Sequence, residues 1–358
     1  MKELFLLDPD VHFLNHGSFG ACPRPVFEAY QGFQRELELR PVEFLALERR
    51  FPELIDAARM RLAAYVGADT DNIAFTPNAS TALNAAIRSL PLGPGDELLL
   101  GDQEYGGMEI LCEFVARRTG ATLARRPFAE LEPGPRTRAV FCSHVEWTSG
   151  RVNDLAPLIA AARDTGAVSI VDGAHAPGQI DLALDELGPD VYAGNCHKWL
   201  CAPKGSGFLY ARPEAQASID PLVVSWDWGD GNAFHQLHRW QGTRDPSAYL
   251  AVPAAIDFQA EHDWPRVRER CHALLASLEL PFEALTDDFV QMRGFHLPPA
   301  VDGRELKRRL YEEHRVEVPV VERPDGWTLR VSVQAYNDEA DLDALVAGLT
   351  RGAARGRR

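Results

Sequence analysis

Asp172 and Lys198 are the two side chains of this sequence best placed to do chemistry together. Asp172 follows a short apolar run at 168–171, β-branched at three of its four positions, which reads as a buried strand. Open α/β sheets put their chemistry at such strand ends. A second apolar patch at 191–193 leads into Asn195-Cys196-His197-Lys198-Trp199, and Gly205 and Gly207 then turn the chain into a third strand at 208–210. Taken singly, an Asp after a strand is usually a cap or turn residue, and a lone Lys usually lies on the surface. Together, inside this glycine-punctuated frame, they suit one job. The lysine can carry a Schiff base to pyridoxal 5'-phosphate while the carboxylate pairs with the pyridinium nitrogen.

Other residues could complete such a site. In Thr76-Pro77-Asn78-Ala79-Ser80-Thr81, Asn78 reads as the N-cap of a helix that opens just after a strand. That leaves amides near Ala79, Ser80 and Thr81 free to meet an anion, with two hydroxyls adding donors. The alternative is an ordinary capped helix. His144, one residue past the strand expected at 139–142, is either a ring that stacks on a planar cofactor or a structural histidine. Arg330 interrupts the apolar alternation of Leu329, Val331 and Val333. It either faces solvent or binds a carboxylate with its two-pronged guanidinium. Residues 13–20, dense in glycine and polar groups, are either a surface turn or a loop entering the site.

These residues need a frame. Strands are expected at 72–75, 97–100, 121–123, 139–142, 168–171, 191–193 and 208–210, with helices at 79–89, 109–119 and 155–165 between them. This alternation implies a mostly parallel sheet flanked by helices. A non-helical arm at 1–21 precedes it, and a helical stretch at 23–66 is interrupted before Pro41 and Pro52. Residues 223–245 read as a long ordered loop. Helices follow at 247–262 and 264–278. Strands at 289–297, 316–321 and 328–333, with helices at 303–314 and 338–349, form a smaller α+β domain. The divisions are thus an N-terminal arm at 1–21, a large domain at 22–245 and a small one at 246–358. Residues 351–358 read as a frayed basic tail.

Composition bounds the function. The net charge of −15 argues against a general nucleic-acid or anionic-membrane surface. The sequence shows no apolar run of about 18 residues, as a membrane-spanning helix needs. Six scattered cysteines have neither metal-site nor redox spacing, so free thiols in a reducing compartment, the cytoplasm, are expected. No metal site is expected.

The ordered set TPNASTALN, SHVEWTSG, VDGAHAPG, AGNCHKWLCAPKGSGFLY, QGTRDPSAY and LRVSVQAYND resembles fold type I pyridoxal-phosphate enzymes of the class V aminotransferase superfamily, over nearly the whole chain. LNHGSFG, QRELELRPVEFL and QGTRDPSA look most like its isopenicillin N epimerase-like branch. The resemblance implies pyridoxal 5'-phosphate on Lys198 and Asp172 at the pyridine nitrogen. It puts His144 on the ring face and His175 near the ring hydroxyl or the aldimine. Ala79, Ser80, Thr81, His197 and Asn195 would hold the phosphate. Thr243 would reach the phosphate in a neighbouring subunit, hence a homodimer with shared sites. Arg330 would hold the carboxylate of an amino-acid substrate, with Asn15 and Tyr105 also on the substrate side.

The activity so implied is chemistry at the α-carbon of an amino acid, as in the epimerases, with Lys198 removing the α-proton. A C–S lyase of the hercynylcysteine sulfoxide lyase kind, or an aminotransferase, would use the same parts, and a non-catalytic binding protein of this fold is the contrasting class. Desulfurases of the superfamily carry a nucleophilic cysteine in the region that is VEVPVVERPDGW here, at 316–327. No thiolate is available there, so a persulfide-forming desulfurase is not expected.

Overall fold

In a computed structural model of the chain residues 1–353 are described; the expected basic tail lies, from residue 354 on, outside them. Among the described residues the strands are, in chain order, β1 (His12–Phe13), β2 (Ile73–Thr76), β3 (Glu97–Gly101), β4 (Thr122–Arg126), β5 (Thr137–Ser143), β6 (Val168–Gly173), β7 (Val191–Asn195), β8 (Gly207–Ala211), β9 (Met292–His296), β10 (Val316–Glu317), β11 (Val320–Arg323) and β12 (Gly326–Ser332). They belong to two compact units. One holds Pro25–Trp147 and Asn153–Phe258; the other holds Met1–Arg24, Thr148–Val152 and the chain from Gln259 onward. These limits differ from cuts at 21/22 and 245/246. Helix Ser247–Leu250 belongs with the first unit because Tyr249 stacks on Phe75 of β2, ring centroids 4.9 Å apart.

The first unit is built on a seven-stranded sheet in the order β2-β8-β7-β6-β5-β3-β4. The pairs from β7 through to β4 are parallel, whereas β8 runs antiparallel to both β7 and β2. The inner strands are buried along nearly their whole length, as parallel strands covered on both faces must be. Helix Ala79–Arg88 packs on β7 and β8, and helix Ala156–Thr165 on β5 and β6. Leu98, Phe141, Ile170, Val191 and Leu209 form one cluster with Leu83 and Ile87 of that first helix. Each such side chain contributes about 2 kcal/mol by leaving water. Gly207 lets β8 begin against the helix cap: a Cβ there would lie 2.8 Å from the Cα of Asn78. The stretch at 223–245 is not all loop, since Phe234–Arg239 is helical, with Phe234 and His238 buried on one side.

In the other unit, β11, β12 and β9 form an antiparallel sheet, and β1 pairs in parallel with β10. The expected strand at 316–321 is two strands. Pro319 has no N–H to extend a ladder, and the chain changes partner there, from β1 before it to β12 after it. The N-terminal arm is not free of helix. Lys2–Leu4 forms a short turn, and Asn15, at φ −130°, opens the single turn His16–Phe19 that Gly20 stops at φ 70°. Among the described residues no helix is long and apolar enough to cross a membrane.

Candidate active site

Asp172 lies next to the C-terminal residue of β6, 5% exposed, and its Oδ1 accepts the amide of Ala174 at 2.8 Å. Burial raises its pKa, against the Ala174 hydrogen bond and the charge of Lys198. That bond is the one hydrogen bond its carboxylate makes among the described residues. A buried carboxylate with lone pairs to spare calls for a cationic or N–H partner.

Lys198 lies on the loop between β7 and β8. The loop is braced across its base, where the amides of Cys196 and His197 both donate to the carbonyl of Ser206, at 3.0 and 3.3 Å. Within it the Cys201 amide donates to the Lys198 carbonyl at 3.0 Å, and Cys201 sits at φ 63°, a conformation that costs a residue with a Cβ some strain. Lys198 Nζ is 3.0 Å from Nε2 of His175, and Trp199 Nε1 donates to the other ring nitrogen, Nδ1, at 3.2 Å. So Lys198, His175 and Trp199 are joined in a line, and the charge of Lys198 acts on Asp172.

His144 follows β5. Its amide donates to the carbonyl of Asp172 at 2.9 Å, and its Nδ1 is 2.9 Å from the hydroxyl of Tyr192 on β7. Burial lowers the His144 pKa to about 4 and pushes that of Tyr192 well up, so both are neutral at physiological pH.

Helix Ala79–Arg88 opens beside this cluster of strand ends. The Asn78 cap forms as expected, with Oδ1 accepting the Thr81 amide at 2.8 Å and the Thr81 hydroxyl at 3.1 Å. The expectation that the amides at Ala79 and Thr81 are free needs correction. Asn78 takes the second, and Asn195 Oδ1 accepts the first at 2.9 Å. The Ser80 amide and hydroxyl are what the first turn keeps for an anion, at the positive end of the helix dipole. His197 gives its Nδ1 to the Ser206 carbonyl at 3.0 Å, and its pKa is lowered to about 4, chiefly by burial.

Thr243 is exposed, as is Tyr105, whose ring meets Trp147 edge-on at 5.7 Å. Arg330 and Asn15 belong to the other unit. The solvent-face reading of Arg330 does not hold: it is 4% exposed, because both faces of β12 are covered. Its Nη2 donates to Ser18 Oγ at 2.8 Å and lies 3.4 Å from Asn15 Oδ1. Asn15 is oriented by its own bond to Glu317, 2.9 Å.

Three residues near the strand ends escaped the sequence reading. Tyr192 and Trp199 look like core aromatics in a sequence and are here donors or partners to ring nitrogens. Glu104, in the loop after β3, is buried and bonded to Ser143. Its place just past the apolar strand at 97–100 was the available signal.

The residues fit pyridoxal 5'-phosphate. The carboxylate of Asp172 has capacity for a ring N–H, Lys198 offers an amine, and Ser80 offers donors at a helix N-terminus.

Comparison with known proteins agrees. The family model for class-V aminotransferases matches residues 18–287. The isopenicillin N epimerase of Streptomyces clavuligerus is 39% identical, over 96% of this chain and 95% of its own. The hercynylcysteine sulfoxide lyase of Schizosaccharomyces pombe is 25% identical, over 96% of this chain and 94% of its own. A solved structure of the enzyme C-DES, with glycine covalently linked to its PLP cofactor, superposes with a TM-score of 0.82 at 25% identity, covering 95% of this chain and 96% of that one. With a mostly parallel sheet of this order, a lysine paired to a histidine at its strand ends and a match across most of its length, the chain belongs to the class-V aminotransferase family of pyridoxal-phosphate-dependent enzymes.

Proposed function

We propose that the chain is an isopenicillin N epimerase-like enzyme that moves a proton at the α-carbon of an amino-acid substrate. The observation that carries this is the 3.0 Å pairing of Lys198 Nζ with His175 Nε2, within the field of the buried Asp172. An amine held in place by an imidazole is a base positioned to take a proton and return it. The 39% identity to an epimerase over nearly the full length supports the same reading.

Bound here, pyridoxal 5'-phosphate supplies an electron sink for charge developing at the α-carbon. Asp172 then holds a proton on the ring nitrogen, and the low-dielectric surroundings strengthen that bond. Lys198 would hold the cofactor through its amine and would take the α-proton. His175, 3.0 Å from Lys198 Nζ, orients the amine. His144, neutral and pinned by Tyr192, packs on the ring face. Ser80, with Ala79, Thr81, Asn195 and His197 around it, receives the phosphate. Arg330 receives a carboxylate, with Asn15 and Tyr105 on the substrate side. Thr243 serves the phosphate of a partner copy in a homodimer; its exposure supports that role. Six free cysteines support a cytoplasmic setting.

A second reading is β-elimination at a C–S bond, supported by the lyase among the relatives. Five of the six cysteines are buried, and burial pushes those of Cys112 and Cys271 up to about 12 and those of Cys142 and Cys196 higher still. None of these can serve as a thiolate acceptor of sulfur, and residues 316–327 contain no cysteine. This supports excluding a persulfide-forming desulfurase while leaving elimination available.

Incubation with candidate amino acids in D₂O decides between the two. The first reading expects deuterium at Cα in substrate recovered in both configurations. Pyruvate and ammonia in its place would establish the lyase. Lys198→Ala should stop either reaction; activity that survives it would remove Lys198 from the chemistry.

A further inference from the structure

We infer that Trp199 sets the proton pattern of the His175–Lys198 pair, fixing His175 as the Nε2–H tautomer and so holding Lys198 as a free amine. The inference rests on Lys198 being the cofactor lysine and adds a positioning residue to it.

The argument starts from the chemistry of indole. Its N–H only donates. Trp199 Nε1 lies 3.2 Å from His175 Nδ1, so Nδ1 must present a lone pair. A neutral imidazole with a bare Nδ1 carries its proton on Nε2. Nε2 is 3.0 Å from Lys198 Nζ. A bond donated from Nε2–H requires a lone pair at the amine, which an ammonium lacks. The two other protonation patterns are penalised at the same place. An imidazolium, or the Nδ1–H tautomer that an ammonium at Lys198 requires, would set Nδ1–H against the indole N–H.

Burial leaves neither ring much room to turn: Trp199 is fully buried and His175 is 5% exposed. Among the titratable groups acting on the pair are Asp172, whose negative charge favours an ammonium, and His197, which itself feels Lys198 and Lys204. Trp199 therefore opposes Asp172. The carboxylate draws a proton towards the lysine, and the indole, acting through His175, resists it. The amine is kept ready to attack a carbonyl carbon, the C=O bond giving way to a C=N bond as both amine protons leave with the oxygen as water. After Lys198 takes an α-proton, the same indole favours its prompt release.

The test uses the full-length chain, freed of cofactor and carrying ¹⁵N-histidine, with His175→Gln to assign the His175 signals. Long-range ¹⁵N–¹H correlation should show Nε2 protonated and Nδ1 bare across neutral pH. An Nδ1–H tautomer in the unmodified chain would overturn the inference. In Trp199→Phe the tautomers should mix. The pH midpoint for labelling Lys198 with trinitrobenzenesulfonate, read by peptide mass, should rise by about one unit, the equivalent of one hydrogen bond. Replacing Trp199 by its benzothiophene analogue, which swaps the N–H for sulfur and keeps the shape, should do the same and covers the case in which the phenylalanine variant does not fold. An unchanged tautomer and midpoint in these variants would also overturn it. Failure of the cofactor-lysine reading is seen separately, as cofactor still trapped on Lys198→Ala by borohydride.

Discussion

Glu104 and Ser143 are bonded twice: the Ser143 amide donates to Oε1 at 3.1 Å, and the Ser143 hydroxyl sits 2.6 Å from Oε2. Burial pushes the Glu104 carboxyl up to about 8, against the Ser143 bonds and helped by the charges of Asp172 and Glu146. It is a neutral acid in the fold at pH 7 and a carboxylate in the unfolded chain, so folding takes up a proton. A pKa raised in the fold gives stability that is complete below the unfolded value and is lost as pH climbs towards the folded one. The loss runs at up to about 1.4 kcal/mol per pH unit. Glu104→Gln copies the neutral shape. Its urea-unfolding stability should fall less steeply than that of the parent chain between about pH 5 and 8. Equal slopes would mean that Glu104 is already ionised in the fold.

Tyr192→Phe removes the partner of His144 Nδ1 and leaves a half-buried ring nitrogen with no bond from β7. A lost bond of this kind is worth about 1 kcal/mol. Cofactor affinity, measured by fluorescence titration, should weaken by roughly fivefold if His144 packs on the ring. An unaltered affinity would place His144 away from it.

His197 tests the phosphate end. With Nδ1–H given to Ser206 and the pKa lowered to about 4, neutral His197 has no proton on Nε2 to offer a phosphate. Binding of pyridoxal 5'-phosphate at pH 7 should therefore draw in up to about one proton per site as His197 becomes the imidazolium. Calorimetry in two buffers of different ionisation enthalpy measures that uptake, and His197→Gln should abolish it. The same uptake in that variant would assign the proton to another group.

Arg330 keeps its charge although burial lowers its pKa to about 10, and Ser18 and Asn15 hold one edge of the guanidinium. Arg330→Lys retains charge and loses the two-pronged geometry. If Arg330 receives the substrate carboxylate, KM should rise roughly tenfold or more, with kcat changed much less. An equal fall in kcat with KM unmoved would point to a structural role.

The sheet was legible because its strands are short apolar runs bounded by glycine and polar turns, and the pair Asp172–Lys198 was legible because both follow such runs. The break at Pro319 was not seen, because valines stand on both sides of the proline and the change of partner depends on β1, far off in the chain. One-turn helices such as His16–Phe19 are too short to show a period. The helix cap at Asn78 was readable, yet Asn195 on the Ala79 amide was not, since the two residues meet only when β7 lies beside the helix. Trp199 and Tyr192 were hidden for the same reason. An aromatic residue in an apolar run signals core, and whether its polar atom points at a histidine is decided by neighbours that the local pattern does not contain.

The reversal of β8 has a consequence for how such an enzyme can change over time. A parallel successor to β7 would need a long crossover, which tolerates insertions. The antiparallel pair instead closes the lysine loop directly, with Cys196 and His197 tied to Ser206 at its neck and Cys201 held in a strained turn. A connection so cross-braced has little slack: one added residue would shift the amine off its partner or break the ladder. New reactions on this layout are therefore reached by exchanging the residues that face Lys198, while the lysine itself stays a fixed point of reference.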